Sequence, residues 1–167
     1  MRALLQRVTH AEVTVEEKVI GRCGGGLLIF LGVGAQDSEE IAVRMAEKIS
    51  GLRIFEDSCG KMNRSAKEIE AEALVVSQFT LYANCRRGNR PDFFAAAPPQ
   101  EAERLYGCFV EALRKTLDCA ADPTRVQTGQ FGAHMQVSLC NDGPVTLWLD
   151  SEEWTQSRKK QAERAKQ

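Results

Sequence analysis

The chain has 167 residues, 43% apolar and 27% charged, with 22 Lys plus Arg against 23 Asp plus Glu. That length buries about 70% of the unfolded surface, so one domain folds without disulfides or a structural metal. The net charge of −1 excludes a broad polyanion binder and leaves room only for a local basic patch.

Only two histidines, His10 and His134, are present, which excludes a His-rich metal site. The six cysteines, Cys23, Cys59, Cys85, Cys108, Cys119 and Cys140, form no C-x-x-C pair and no zinc-ligand spacing. The opening MRALLQRVTHAEV lacks the apolar stretch of a signal peptide, and no run is long enough to span a membrane. Reduced thiols in a cytoplasmic protein are therefore expected.

In chain order, Ala11, Val13 and Val15 alternate with Glu12, Thr14 and Glu16, the period of a half-buried strand. Residues 17–23 read as its hairpin partner. Gly24-Gly25-Gly26 then turns into the apolar run 27–31, a strand covered on both faces. The triple glycine lacks the context of a phosphate loop. Asp37 or Ser38 caps a first helix with the stripe Ile41, Met45, Ile49 and Leu52, and Gly51 ends it. A short strand over 52–55 and a turn-rich loop over 57–63 follow. Residues 73–81, ALVVSQFTL, read as a strong strand with polar groups only near its end. A long connection over 82–99 carries Arg86, Arg87, Arg90, Phe93 and Phe94. Pro98 and Pro99 open a second helix buried through Ala102, Leu105, Phe109, Leu113 and Leu117. Strands are predicted over 125–131, 134–141 and 145–149, the last two separated by Gly143-Pro144. Residues 155–167 hold five basic side chains against one acidic. The sum is an α+β domain: a mainly antiparallel, barrel-like curled sheet with two main helices packed on it.

Three features carry potential chemistry. Ser77-Gln78-Phe79-Thr80 reads either as a strand end meeting solvent or as hydroxyls, an amide and backbone N–H groups converging on an ester. Asn141-Asp142-Gly143-Pro144 reads as a tight turn or, if its Gly-Pro bond is cis, as a rigid display of carbonyls. Arg86, Arg87 and Arg90 form a solvated loop or a phosphate-pairing one, with Phe93 and Phe94 beside it to stack on bases. Two histidines, each read as a strand residue, supply a conventional triad poorly. The residues themselves point to a site of backbone and small polar groups.

SQFTL at 77–81 and NDGPVT at 141–146 occur with Gln6-Arg7-Val8, Gly60-Lys61-Met62-Asn63 and Gln136-Val137-Ser138-Leu139. Together, from Met1 to about Asp150, these strings resemble the bacterial and eukaryotic D-aminoacyl-tRNA deacylases. The resemblance implies a deacylase domain over 1–150, with 151–167 a charged, net basic C-terminal tail. It implies a cytoplasmic homodimer that hydrolyses D-aminoacyl-tRNA and mischarged glycyl-tRNA, without metal or cofactor and away from any membrane. Ser77, Gln78, Phe79 and Thr80 would line the catalytic pocket. Gly143 and Pro144, joined by a cis bond and inserted into the neighbouring subunit's site, would reject L-amino acids, with Arg7 supporting them. Arg86, Arg87 and Arg90 are the expected tRNA contacts, and the tail a further non-specific one. A non-catalytic tRNA 3′-end binding module and a general small-ester hydrolase are the competing readings.

Overall fold

The N-terminal alternation builds one long strand, β1 (Arg2–Val15), in the computed structural model, which describes residues 1–154. Hairpin partner β2 (Lys18–Cys23) and β3 (Gly26–Gly32) both pair with it antiparallel, β3 along residues 2–8 and β2 along 11–15. The last strand, β8 (Gln136–Asp150), runs antiparallel along the opposite edge of β1. On the far side, β6 (Glu72–Ser77) pairs parallel with β3, and β7 (Val126–Thr128) parallel with β6. The main sheet is therefore mixed, with three antiparallel and two parallel pairings among the described residues where a mainly antiparallel sheet was expected. The apolar runs at 27–31 and 73–76 are buried on both faces, which suits parallel neighbours, but such a run carries no mark of its partner's direction.

The expected curl is present. The backbone of β2 reaches β7, where the Arg22 N–H donates to Gln127 Oε1 at 3.0 Å. A side chain at Gly21 would overlap the Thr128 carbonyl oxygen, so this approach depends on glycine. Val8, Ala11, Val13, Leu28, Leu74 and Val76 fill the inside of the curl. Ala3, Leu5, Leu27, Ile29 and Val75 face outward to the helices. Even-numbered Val8 joins odd-numbered Ala11 and Val13 because Thr9 is bulged between Val8↔Asn141 and His10↔Cys140. One extra residue reverses which parity faces inward.

Helix α1 (Glu39–Ser50) is capped by Ser38, whose Oγ accepts from the Ile41 N–H at 3.4 Å. Asp37, the other expected cap, instead accepts from the Gly34 N–H and binds the Met1 ammonium. Gly51 closes the helix in the ordinary right-handed region. The expected strand at 52–55 shrinks to β4 (Phe55–Glu56), paired with β5 (Met62–Arg64) around the Asp57 turn. Helix α2 (Pro99–Thr116) buries Leu105, Phe109 and Leu113 against α1 and the sheet. Residues 151–154 begin a helical turn, with Ser151 buried against Met1. The basic run expected at 155–167 lies outside the described residues.

All six cysteines are free thiols, and burial pushes Cys23 up to about 11. Of the three consecutive glycines, only Gly26 has no room for a side chain: a Cβ there would overlap the Glu72 carbonyl oxygen, whereas one at Gly25 meets nothing within 4 Å. Gly26→Ala is expected to lower unfolding free energy by about 1–3 kcal/mol, read from the urea midpoint. Gly25→Ala should stay within about 0.5 kcal/mol.

Candidate active site

The SQFT segment sits where the sheet's central pair runs out. The Gln78 N–H donates to the Leu31 carbonyl at 2.8 Å, the last bond joining β6 to β3. The strand predicted through Leu81 stops at Ser77, and Phe79–Tyr82 turns into a 3-10 helix. Gly32 makes the turn possible, since a Cβ there would lie 2.9 Å from the Gln78 carbonyl oxygen and 3.1 Å from Leu81.

The turn is held from behind. Arg2 donates to the Leu81 carbonyl at 3.1 Å and to Asp150 at 2.8 Å, and its guanidinium lies 4.4 Å from the Tyr82 ring centre. The buried Tyr82 hydroxyl donates to Asp37 at 3.4 Å. Burial first, then the Asp37 charge, raises its pKa far above the ordinary phenol value, so it stays a donor.

Ser77, Gln78 and Phe79 form one wall of a cleft of about 740 Å³. Phe93 and Phe94 line it from the long connection, Tyr106 from α2, and Phe131, His134 and Met135 from the loop before β8. Phe79 is 59% exposed and meets Phe93 edge-on at 5.0 Å. Thr80 is not among the lining residues; its Oγ1 accepts from the Gln78 side-chain amide. An amide donor cannot take a proton, and no carboxylate or imidazole bonds to Thr80 among the described residues. The N–H groups of Phe79 and Thr80, at the open end of the 3-10 helix, have no backbone acceptor among the described residues. Thr80 thus has donors beside it and no base bonded to it, while the His134 imidazole lies on the cleft lining.

The second motif is neither a reversing turn nor part of this chain's own cleft. β8 passes straight through it, and the strands expected at 134–141 and 145–149 are one. Between Gln6↔Thr146 and Val8↔Asn141 the ladder sets four residues, 142–145, against Arg7 alone, so they leave the sheet as a loop. Asn141 closes its base, with Nδ2 donating to the carbonyls of Arg7 and Val145, both at 3.0 Å. The Gly143–Pro144 bond is cis, Gly143 has φ +118°, and both residues are exposed. Arg7 is buried beneath them. It donates through Nη1 to the Ile54 carbonyl at 2.7 Å and through Nε to the Asp142 carbonyl at 3.2 Å, and pairs with the Asp142 carboxylate at 3.0 Å.

Arg86, Arg87 and Arg90 lie on an exposed loop outside the cleft lining. Sequence reasoning missed Phe131, His134, Met135 and Tyr106. His134, read as a strand residue, is in the loop at the cleft edge; His10 is exposed on β1 as expected of a strand histidine. The predicted strand 125–131 stops at Thr128, so 129–135 are free to line the cleft. Gly132, in the left-handed region, was the available signal for a loop there.

The D-Tyr-tRNA(Tyr) deacylase family model matches residues 4–150 of this chain. The chain belongs to this deacylase family. A D-aminoacyl-tRNA deacylase of Thermotoga petrophila is 57% identical over 151 residues, 90% of this chain and 97% of that protein. One from Ruegeria pomeroyi is 55% identical over 150 residues, 90% and 99% of the two chains. Among solved structures, a c-Myc DNA unwinding element binding protein matches with TM-score 0.84 and 44% identity, covering 90% of this chain and 99% of that one. A probable eukaryotic D-amino acid tRNA deacylase shares the fold at TM-score 0.78 and 19% identity, over 89% and 98%.

Within this deacylase fold, the Arg7 side chain joins β1 to the segment before β4 and to the 142–145 loop. Arg7→Met leaves the buried Ile54 carbonyl without its donor and is expected to cost about 1–3 kcal/mol. Urea denaturation measures the loss, and limited proteolysis should show faster cleavage within 142–145.

Proposed function

We propose that the chain hydrolyses the ester between a D-amino acid and the 3′-terminal adenosine of tRNA, releasing free amino acid and tRNA. Membership of the deacylase family through residues 4–150 carries this reading, and the presence of SQF on the cleft wall supports it. Glycyl esters are accepted because glycine has no side chain to exclude.

Water attacks the ester carbonyl carbon, and the carbonyl oxygen becomes an oxyanion received by the Phe79 and Thr80 N–H groups. The ribose 2′-hydroxyl beside the ester assists the attacking water, and the departing 3′-oxygen takes the proton. Three observations support substrate assistance over a threonine nucleophile. Thr80 has an amide rather than a base as partner, lies off the cleft lining, and stands beside N–H groups with no backbone acceptor among the described residues.

Chirality is enforced by the loop at Gly143 and Pro144. Their carbonyls occupy the side an L side chain would take and leave the D side open. This rejection by fixed backbone exceeds the roughly 1–3 kcal/mol that one methylene's fit supplies. Because these exposed residues do not line their own chain's cleft, a second copy must deliver them, and the enzyme works as a homodimer. Arg86, Arg87 and Arg90 pair with tRNA phosphates, in the cytoplasm where tRNA is charged. The deacylase domain spans 1–150, and the tail beyond it adds a non-specific RNA contact.

Release of amino acid from D-Tyr-tRNA and L-Tyr-tRNA tests the reading: fast D and negligible L hydrolysis are expected. A folded protein that binds tRNA 3′ ends without turnover is a binding module, and one that cleaves D-amino esters lacking the ribose is a general esterase. Thr80→Ala should keep kcat within about tenfold of wild type, because losing a true nucleophile costs on the order of 10⁴-fold or more. A Cβ at Gly143 would lie 2.8 Å from Arg7 Nη2 and 2.9 Å from Val145 at a φ that L residues avoid. Gly143→Ala is therefore expected to abolish the D over L preference or the activity itself.

A further inference from the structure

Between the 3-10 turn and α2 the chain makes a closed excursion. Asn84 and Asp92 exchange backbone hydrogen bonds of 2.8 and 3.3 Å, and the Asn84 side-chain amide donates to the Asp92 carboxylate at 2.9 Å. Every residue from 85 to 91 is exposed. Arg2, Arg7, Arg104, Arg114 and Arg125 are each bound to carbonyls or carboxylates of the protein. In contrast, the guanidinium groups of Arg86, Arg87 and Arg90 have no protein partner among the described residues. The nearest carboxylate in sequence, Asp92, accepts from the Asn84 side-chain amide. Three unpaired cations within five residues, on a protein of net charge −1, form a local anion-seeking surface.

The position of that surface limits what it meets. Phe93, next to the neck, packs on Phe79 of the cleft wall. Phe94 follows, lining the cleft while 91% exposed, an aromatic face held open at its mouth. An excursion of this length projects its backbone at most about 14 Å from its neck. The guanidinium groups therefore reach phosphates only a few nucleotides from an ester held beside Phe79. Cations without counterions beside an open aromatic face are the chemistry of single-strand recognition, in which bases stack and phosphates pair.

We infer that loop 84–92 and Phe94 form a subsite for the unpaired nucleotides that immediately precede the esterified adenosine. Phe94 stacks on a base, and Arg86, Arg87 and Arg90 pair the neighbouring phosphates. The inference rests on the deacylase reading for the identity of the RNA end, and binding tests it separately from turnover.

The probe is a fluorescent, uncharged hairpin RNA with a short unpaired 3′ tail, compared with the same hairpin blunt-ended. Wild type should prefer the tailed hairpin. Phe94→Ser should weaken its binding about 5- to 100-fold. The R86Q/R87Q/R90Q variant should lower the salt slope by about 2, since each single-strand phosphate contributes about 0.7. Both variants replace exposed side chains, and circular dichroism confirms folding. Equal loss of affinity for blunt and tailed hairpins would assign the arginines to the duplex stem and overturn the inference. So would unchanged binding by both variants. If wild type shows the tail preference but hydrolyses no D-aminoacyl ester, the deacylase reading falls and the subsite stands.

Discussion

A strand has two edges, and β1 uses both along almost its whole length. β3 and then β2 occupy one edge, and β8 the other. Every other element takes its place from that arrangement, because each partner's register is set against the same fourteen residues. Where the pairing is regular it builds the curl. Where counts mismatch, the surplus backbone must go somewhere. One surplus residue at Thr9 exchanges the inward and outward faces, and a surplus at 142–145 pushes a loop out of the sheet. Arg7 lies beneath that loop and supplies donors to the Asp142 carbonyl and to the Ile54 carbonyl. A buried cation is tolerated here because acceptors from two segments, 54–56 and Asp142, surround it.

The cleft wall at Ser77–Phe79 arises by a comparable interruption. β3 ends at a glycine, and the chain beyond Ser77 folds over the vacant position instead of extending. This leaves the Phe79 and Thr80 N–H groups without a backbone acceptor among the described residues. Arg2, Asp37, Asp150 and Tyr82 then brace the turn from its buried side, so the polar side chains with strong charge act in support. The groups lining the cleft are an amide, hydroxyls, aromatic rings, the Met135 thioether and the His134 imidazole. That distribution suits a reaction in which the substrate brings its own hydroxyl to the carbonyl.

Features whose signal lies within a few residues were legible in the sequence. The alternation at 11–15, the Ser38 cap, the helix stripes and Pro99 at the start of α2 all translate into structure because their periodicities are local. The doubly covered strands were also legible, though their parallel pairing was not. The end of β6 was missed because Gly32, forty-five residues earlier, decides where the chain can turn. Asn-Asp-Gly-Pro carries a real loop signal, but whether the chain reverses or continues depends on Asn141 bonding back to Arg7 across 134 positions. The other cleft wall, Phe131 to Met135, has no distinctive composition, and only the early end of β7 frees it to reach the site.

The extruded loop has a consequence for self-association. Among the described residues β8 pairs only with β1, leaving fifteen residues of open strand edge. A long flat edge of that kind invites unwanted strand addition. Here the 142–145 bulge breaks the edge near its middle, and Pro144 removes one amide donor there. An incoming extended strand would find two short stretches out of phase with each other. The protrusion that breaks the ladder thus also guards the open edge against indiscriminate β-pairing.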